Sequence, residues 1–295
     1  MISVPASSAN IGPGFDSAGI ALSYYLKVQV SEQKYLWEFQ HESPLLPSNP
    51  IATEHYIYQS AKQVADKHNK VLQPCKVSVE SQIPLARGLG SSATAIIAGI
   101  ELANQVLKLK LSQEKKLQYA IDIEGHPDNV TPSLLGGFTI TAMVEGEVKY
   151  IKLPTVEMEI VIYIPDYEVT TEEARKAMPV TYSLDTASQA NGVSKLMIAS
   201  LVAGDYELAG DMMEQDIFHE PYRSKLIQNY EFIRKYAKCL GAYGSVISGA
   251  GPTMISFVPP SKGKEIACRM RKKINNIEIK TLTFDKIGTQ VKILD

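Results

Sequence analysis

Cysteine is scarce: 295 residues hold only Cys75, Cys239 and Cys268, widely separated and odd in number. Such a set builds neither a disulfide framework nor a paired-cysteine zinc site, and it fits a reducing, cytoplasmic compartment. Long apolar runs are missing as well. No uncharged stretch reaches the roughly 18 residues that cross a bilayer, and Met1-Ile2-Ser3-Val4-Pro5 lacks the basic start of a secretion signal. A membrane partner is therefore not expected. Neither charge sign is in excess, since 30 Lys+Arg against 32 Asp+Glu leave a net −2. A chain that neutralises a nucleic-acid backbone carries a basic surplus, so nucleic acid is not expected either. There is no internal repeat and no Gly/Ser or Pro linker, and tryptophan occurs once, at Trp37.

What is present is the composition of a protein with a substantial core, 45% hydrophobic and 21% charged. The length exceeds what one compact core usually holds, so two domains are expected, 1–155 and 156–295, changing somewhere near 150–165. Strand-like and helix-like segments alternate, which predicts an α+β fold. Residues 25–31 and 76–83 alternate polar and apolar side chains as half-buried antiparallel strands do. Ile57, Ala61, Val64, Ala65 and His68 share one face of a helix over 54–69. From Ser92 to Leu107 most residues are apolar or small, which predicts a helix buried on most sides. Further helices are expected over about 112–124, 184–203, 205–217, 222–238 and 262–273. Strands are expected over 138–144, 148–153, 158–164, 244–248 and 253–258, with two more near the end. Thr170 followed by Glu173 matches a capping box that opens a helix.

Three clusters could carry chemistry. The first is Pro84-Leu85-Ala86-Arg87-Gly88-Leu89-Gly90-Ser91-Ser92-Ala93-Thr94, a glycine-rich turn feeding the buried helix. Such a turn aims backbone N–H groups and the positive end of a helix dipole at one point, where phosphate fits. No Lys follows the glycines as in a Walker A loop, and position 108 is Lys where a dinucleotide fold needs an acid. The glycine spacing alone also suits an ordinary strand-to-helix turn; Ser91 and Ser92 at the helix mouth favour a nucleotide-phosphate loop. The second cluster, Glu124-Gly125-His126-Pro127-Asp128-Asn129, places two carboxylates, an imidazole and an amide at a helix end and the start of a loop. A carboxylate near phosphates is how a kinase holds Mg²⁺, while Asp and Asn also satisfy backbone groups in a plain turn. The third cluster is divided between Thr170-Thr171-Glu172-Glu173-Ala174-Arg175 and the later Asp216, His219, Glu220 and Arg223. Arginine forks bind carboxylates through paired hydrogen bonds, so Arg175 and Arg223 together suit an acidic small molecule. Taken singly, each reads as a solvated helix residue. Two small-residue loops complete the set: 5–16, bearing Asn10 and Asp16, and Ser248-Gly249-Ala250-Gly251-Pro252-Thr253.

Together, PASSANIGPGFDSAG, the later PxxxGLGSSA and the late SGAGPT resemble the GHMP kinase superfamily, in the right order and over almost the whole chain. Within it, EGHPDNVTPSLLGGF, TTEEARKAMP and EPYR resemble the homoserine kinases. The resemblance implies an N-terminal domain similar to the second domain of ribosomal protein S5 and a ferredoxin-like C-terminal domain. It implies transfer of the γ-phosphoryl group of ATP to the side-chain hydroxyl of L-homoserine, giving O-phospho-L-homoserine for threonine biosynthesis, and it suggests a homodimer. By the same resemblance, residues 84–94 wrap the ATP phosphates, and Ser92 and Glu124 hold Mg²⁺. Asn10, Asp16, His126, Asp128 and Asn129 fall on the substrate side, Thr171, Arg175 and Arg223 complete the amino-acid pocket, and Gly249 closes it. Asn129, Arg175, Ser92 and Glu124 are the residues expected to act in the transfer. Chemical matching assigns the substrate carboxylate to Arg175 and Arg223 and its ammonium to Asp16 or Asp128. No Lys stands out as the partner of an Asp base.

Overall fold

The computed structural model describes residues 1–33, 35–154 and 156–293. Its first half runs β1 (Ile2–Ala9), β2 (Ala18–Gln33), β3 (Glu38–His41), α1 (Tyr56–Lys67), β4 (Cys75–Ser81), α2 (Ser91–Val106), α3 (Gln113–Glu124), α4 (Pro127–Leu135), β5 (Phe138–Val144) and β6 (Glu147–Lys152). The second half runs β7 (Glu159–Pro165), α5 (Thr171–Lys176), α6 (Leu184–Ala203), α7 (Tyr206–Met213), α8 (Glu220–Arg223), α9 (Tyr230–Cys239), β8 (Gly244–Ile247), β9 (Met254–Val258), α10 (Gly263–Arg271), β10 (Ile277–Leu282) and β11 (Gln290–Val291).

The alternation seen over 25–31 is part of a strand long enough to serve three neighbours. Along one edge β2 pairs with β1, from Ile2↔Val28 to Ala9↔Gly19. Its early residues also pair with β5 (Ala18↔Ile140, Ile20↔Phe138), and its later ones with β4 (Leu26↔Ser81, Val30↔Val77). The first sheet is therefore ordered β11-β1-β2-β4-β3, with the β5–β6 hairpin attached to β2. α1 buries Ile57, Ala61, Val64 and Ala65 on one face, and α2 is buried along most of its length, as their patterns predict.

The second sheet, β10-β7-β9-β8, is antiparallel throughout. β7 reads as an unbroken apolar run because both its faces are covered. Ile160, Ile162 and Ile164 join the core of the first sheet, whereas Val161 and Tyr163 join a second core with Ile233, Ala237, Ile266 and Met270 of α9 and α10. The two sheets thus share one hydrophobic core, which brings their loops together. No helix among the described residues is long and apolar enough to cross a membrane.

Four features depart from the sequence reading. Residues 127–135 form a helix where the start of a loop was expected: Pro127 sits in the first turn, where its missing N–H has no partner to lose. The helix expected over 205–217 stops at Met213, and the chain turns at Asp216, whose carboxylate accepts from the backbone N–H groups of Phe218, His219 and Glu220 at 3.0, 2.9 and 2.7 Å. The helix expected over 222–238 is broken: α8 ends at Arg223, and Asn229 takes a left-handed conformation (φ 62°) before α9. Finally, the chain after β10 returns to the first sheet, where β11 pairs with β1 and the Asp285 carboxylate accepts from Tyr25 Oη at 2.8 Å. A single division at residue 155 does not anticipate that return.

Candidate active site

The glycine-rich segment leaves β4 and turns into α2. Gly88 and Gly90 are both left-handed (φ 73° and 67°), and Gly90, at the N-cap, offers no side chain to the helix. The first-turn amides are left free to bind something else, at the positive end of the dipole. A Cβ on Gly88 would run into the carbonyl oxygens of Ser248 and Gly251. That close approach joins the loop to the SGAGPT turn, and Ser248 Oγ donates to the Gly88 carbonyl at 2.6 Å. Leu85, Ala86, Gly88, Gly90, Ser91, Ser92 and Thr94 line a cavity of about 590 Å³. Pro84, Arg87, Leu89 and Ala93 do not: Leu89 and Ala93 are core residues, and Arg87 ties the loop to the end of β7. Its guanidinium donates to the Pro165 and Asp166 carbonyls at 3.1 and 2.8 Å and pairs with Glu168 at 3.0 Å.

Ser92, in the first turn of α2, donates through Oγ to Glu124 Oε2 at 2.9 Å. Glu124 ends α3, and burial pushes its carboxyl above the usual range, against the pull of the Ser92 hydrogen bond. A hydroxyl beside a half-buried carboxylate is a hard oxygen pair that suits Mg²⁺. Among the described residues no group of three His, Cys, Asp or Glu could hold a metal unaided, so the pair would need a ligand such as phosphate to complete a coordination shell. Next along the chain, His126 Nδ1 lies 2.7 Å from Asp128 Oδ1, and that hydrogen bond raises the imidazole's pKa. Asn129, in the first turn of α4, accepts from Ser7 Oγ at 2.9 Å, which anchors it to β1.

The remaining residues come from both halves. Asn10 is left-handed (φ 72°) after β1; its amide donates to the Gly249 carbonyl at 2.9 Å, and its side-chain oxygen accepts from the Asp16 N–H at 3.0 Å. The capping box forms as expected, with Thr170 Oγ1 accepting from the Glu173 N–H and Glu173 from the Thr170 N–H, and it starts α5 at Thr171. α5 presents Arg175, whose fork pairs with Asp16 at 3.0 Å. Arg223, on α8, is 2% exposed. It donates to the Ala174 and Gly249 carbonyls, each at 3.2 Å, and no carboxylate among the described residues lies within ion-pair distance of it. Asp16, Asp128 and Asp216 act on it only from beyond contact distance, and a buried cation without a contacting anion is costly, a cost that an anion in the cavity would relieve. Asn10, Asp16, His126, Asp128, Asn129, Thr171, Arg175, Arg223 and Gly249 all line this one cavity.

Two parts of the site go beyond the sequence reading, which named Asp216, His219 and Glu220 beside Arg223 but gave them no supporting role. One is the support behind Arg223. The Phe15 ring lies under both guanidinium groups, 5.7 Å from Arg175 and 5.2 Å from Arg223, and 5.3 Å from the His219 ring. His219 is fully buried; its Nε2 donates to the Gly12 carbonyl at 2.9 Å, which leaves Nδ1 bare and 3.5 Å from Arg223 Nη1. Glu220, pushed up to about 7 by burial, braces the same short helix by accepting from Tyr230 Oη at 2.6 Å and from the Ile247 N–H at 2.7 Å. The other is an apolar end of the cavity built from Leu46, Pro47, Pro50, Ile51, Ile57 and Leu85. The cluster of prolines over 44–50 was its only sequence signal, since it rules out a regular element there.

Burial pushes His219 well below the ordinary imidazole value, so the folded protein keeps it neutral. Below about pH 6.5 the unfolded chain takes up a proton that the folded chain refuses. This group's stabilisation is therefore complete above that pH and is lost as pH falls, at up to about 1.4 kcal/mol per unit. Thermal melts of the wild type and His219→Gln at pH 8 and 5.5 measure it. The wild type's advantage in Tm shrinks on acidification; a constant gap would refute a neutral His219.

With this geometry in place, comparison with known proteins is direct. The models for the GHMP kinases N-terminal and C-terminal domains match residues 55–137 and 197–276. The chain belongs to the GHMP kinase family. The homoserine kinase of Oceanobacillus iheyensis is 48% identical over 293 residues, 99% of this chain and 98% of that one. That of Bacillus pumilus is 43% identical over 99% and 94%. The crystal structure of homoserine kinase from Cytophaga hutchinsonii superposes with a TM-score of 0.85 at 28% identity, covering 98% and 96% of the two chains. Within the family the chain groups with the homoserine kinases. L. major mevalonate kinase, at 16% identity and a TM-score of 0.75 over 96% and 95%, shares the fold.

Proposed function

We propose that the protein transfers the γ-phosphoryl group of MgATP to the side-chain hydroxyl of L-homoserine, releasing ADP and O-phospho-L-homoserine, in threonine biosynthesis from aspartate. The observation that carries this reading is Arg223, a buried, unpaired guanidinium in the wall of a cavity that also holds a phosphate-loop helix mouth. We place the reaction in the cytoplasm, where the three free thiols stay reduced.

In this reading the amides at the start of α2 and the cavity-lining residues of the loop, Ala86, Gly88, Gly90, Ser91 and Ser92, hold the triphosphate, and the apolar end beside Leu85 takes the base. Ser92 and Glu124 hold Mg²⁺, which neutralises charge on the phosphate oxygens when bound. Arg223 and Arg175 bind the substrate carboxylate, and Asp16 and Asp128 face its ammonium. Arg175 leaves its contact with Asp16 to do so, which frees that carboxylate for the ammonium. Asn129 and His126 then border the reacting hydroxyl. Among the described residues no lysine lines the cavity; in this reading the hydroxyl attacks directly and its proton passes to phosphate or a neighbouring polar group. The protein's contribution is alignment and charge placement, the main requirements of phosphoryl transfer.

A coupled ADP-release assay with MgATP, comparing L-homoserine with L-serine, mevalonate, shikimate, galactose and no acceptor, tests the proposal. Turnover confined to L-homoserine is the expected result; turnover with another acceptor overturns the substrate, and none with any overturns the reaction. The loop has its own test. Gly88→Ala forces a Cβ into a left-handed position against two carbonyls, so the KM for ATP should rise about tenfold or more, with a lower Tm. An unchanged KM for ATP would remove the loop from nucleotide binding.

A further inference from the structure

His41 and His55 border the apolar end of the cavity, and their hydrogen bonds have only one consistent polarity. His41 Nδ1 lies 2.7 Å from the Pro47 carbonyl, which can only accept, so that nitrogen carries the proton. In the neutral ring His41 Nε2 is then an acceptor, and it takes the proton of His55 Nε2 at 3.0 Å. His55 Nδ1 is left bare and accepts from the Ile57 N–H at 3.2 Å, capping α1. The result is one directed chain: Ile57 N–H to His55, His55 to His41, His41 to the Pro47 carbonyl. It links α1, the end of β3 and the proline-rich loop of residues 43–50. Phe39 stacks on His55 at 4.1 Å and Trp37 on Phe39 at 6.3 Å, which holds the ring plane.

We propose that the His41–His55 pair is a positioning device for the nucleotide base: it pins Pro47, and with it Leu46 and Pro50, against α1 to set the width of the apolar end. The inference rests on the proposed function only in assigning that end to the base. The loop has few other ties, among them Ser43 Oγ to the Ser81 carbonyl at 2.6 Å and the Leu46 N–H to the Ser43 carbonyl at 3.1 Å. Neither of these reaches Pro47. The loop is also tied at its far end, where the Glu54 N–H donates to the Ile51 carbonyl at 3.1 Å ahead of α1; the histidine chain is what holds its middle, at Pro47.

His55→Asn tests this without unseating the helix, because Asn is among the strongest N-caps and keeps the acceptor for the Ile57 N–H while losing the ring-to-ring bond. His41→Phe removes both bonds of the other ring. Each variant is expected to raise the KM for MgATP about five- to tenfold, with kcat and the KM for L-homoserine within about twofold. The double variant should be no worse than the worse single one, because the two rings act as one chain. Fluorescence of Trp37, the single tryptophan, gives ATP affinity at equilibrium as an independent reading. An unchanged ATP affinity in both single variants, or strictly additive effects, overturns the proposal. A rise in the homoserine KM instead of the ATP KM would show that the base lies elsewhere, which overturns the assignment of that end.

Discussion

Arg223→Ala lowers kcat/KM for L-homoserine at least about 100-fold, because a buried, charge-assisted contact to a carboxylate is worth about 3 kcal/mol or more when one partner is removed. Most of the loss appears in the homoserine KM, with the KM for ATP nearly unchanged. Arg175→Ala has a smaller effect, about tenfold, since that side chain is 43% exposed and already shares its charge with Asp16. Steady-state kinetics on both variants decide the matter. Equal losses in the two variants would show that the arginines share the carboxylate evenly, and an unchanged homoserine KM in Arg223→Ala would show that it is held elsewhere. Arg223→Lys separates charge from geometry: it keeps the cation but loses the fork that reaches the Ala174 and Gly249 carbonyls together, so it recovers only part of the loss.

Glu124→Gln is expected to cut kcat about 100-fold or more and to raise the Mg²⁺ concentration needed for half-maximal rate. The substitution preserves volume and can still accept from Ser92, so a loss reports the missing negative charge rather than a collapsed wall. Rate measured against Mg²⁺ at fixed ATP reads both effects, and removal of the metal by chelation abolishes turnover in the wild type and the variant alike. A Mg²⁺ dependence identical to that of the wild type would take Glu124 out of metal binding.

The parts of the site legible in the sequence are those whose chemistry is local. The glycines of residues 84–94, the serines at the mouth of α2 and the Thr170–Glu173 box each act within a few residues, and all three form as read. Ser92 and Glu124 lie 32 residues apart in sequence, and only the packing of α3 against α2 makes them a pair. Arg223 was visible as an arginine but not as a buried one, because its burial depends on a four-residue helix held by Asp216 and Glu220. The apolar end could not be read at all: it gathers β3, an irregular loop, α1 and the residues after β4. The start of α4 was hidden by Gly125, His126 and Pro127, residues that mark turns as often as helix starts. The return of β11 to β1 is a pairing across nearly the whole chain, and nothing in a two-residue strand announces it.

The shared core limits how this molecule can move. Swinging one half from the other would strip Ile160, Ile162 and Ile164 from the first sheet's core and wet them, at about 25 cal/mol for each Å² exposed. A wide rigid-body gape is therefore closed to the protein, and traffic to the cavity must pass its rim. There α5, a six-residue helix seated by buried Ala174 and the Arg223 bond to its carbonyl, also reaches the opposite loop through the half-exposed clasp of Arg175 on Asp16. A surface ion pair is worth less than about 1 kcal/mol, so breaking the clasp costs little beside what wetting the core would cost. Trading that clasp for contacts to a bound substrate therefore asks little of the fold, and the rim can rearrange while the core beneath it stays packed.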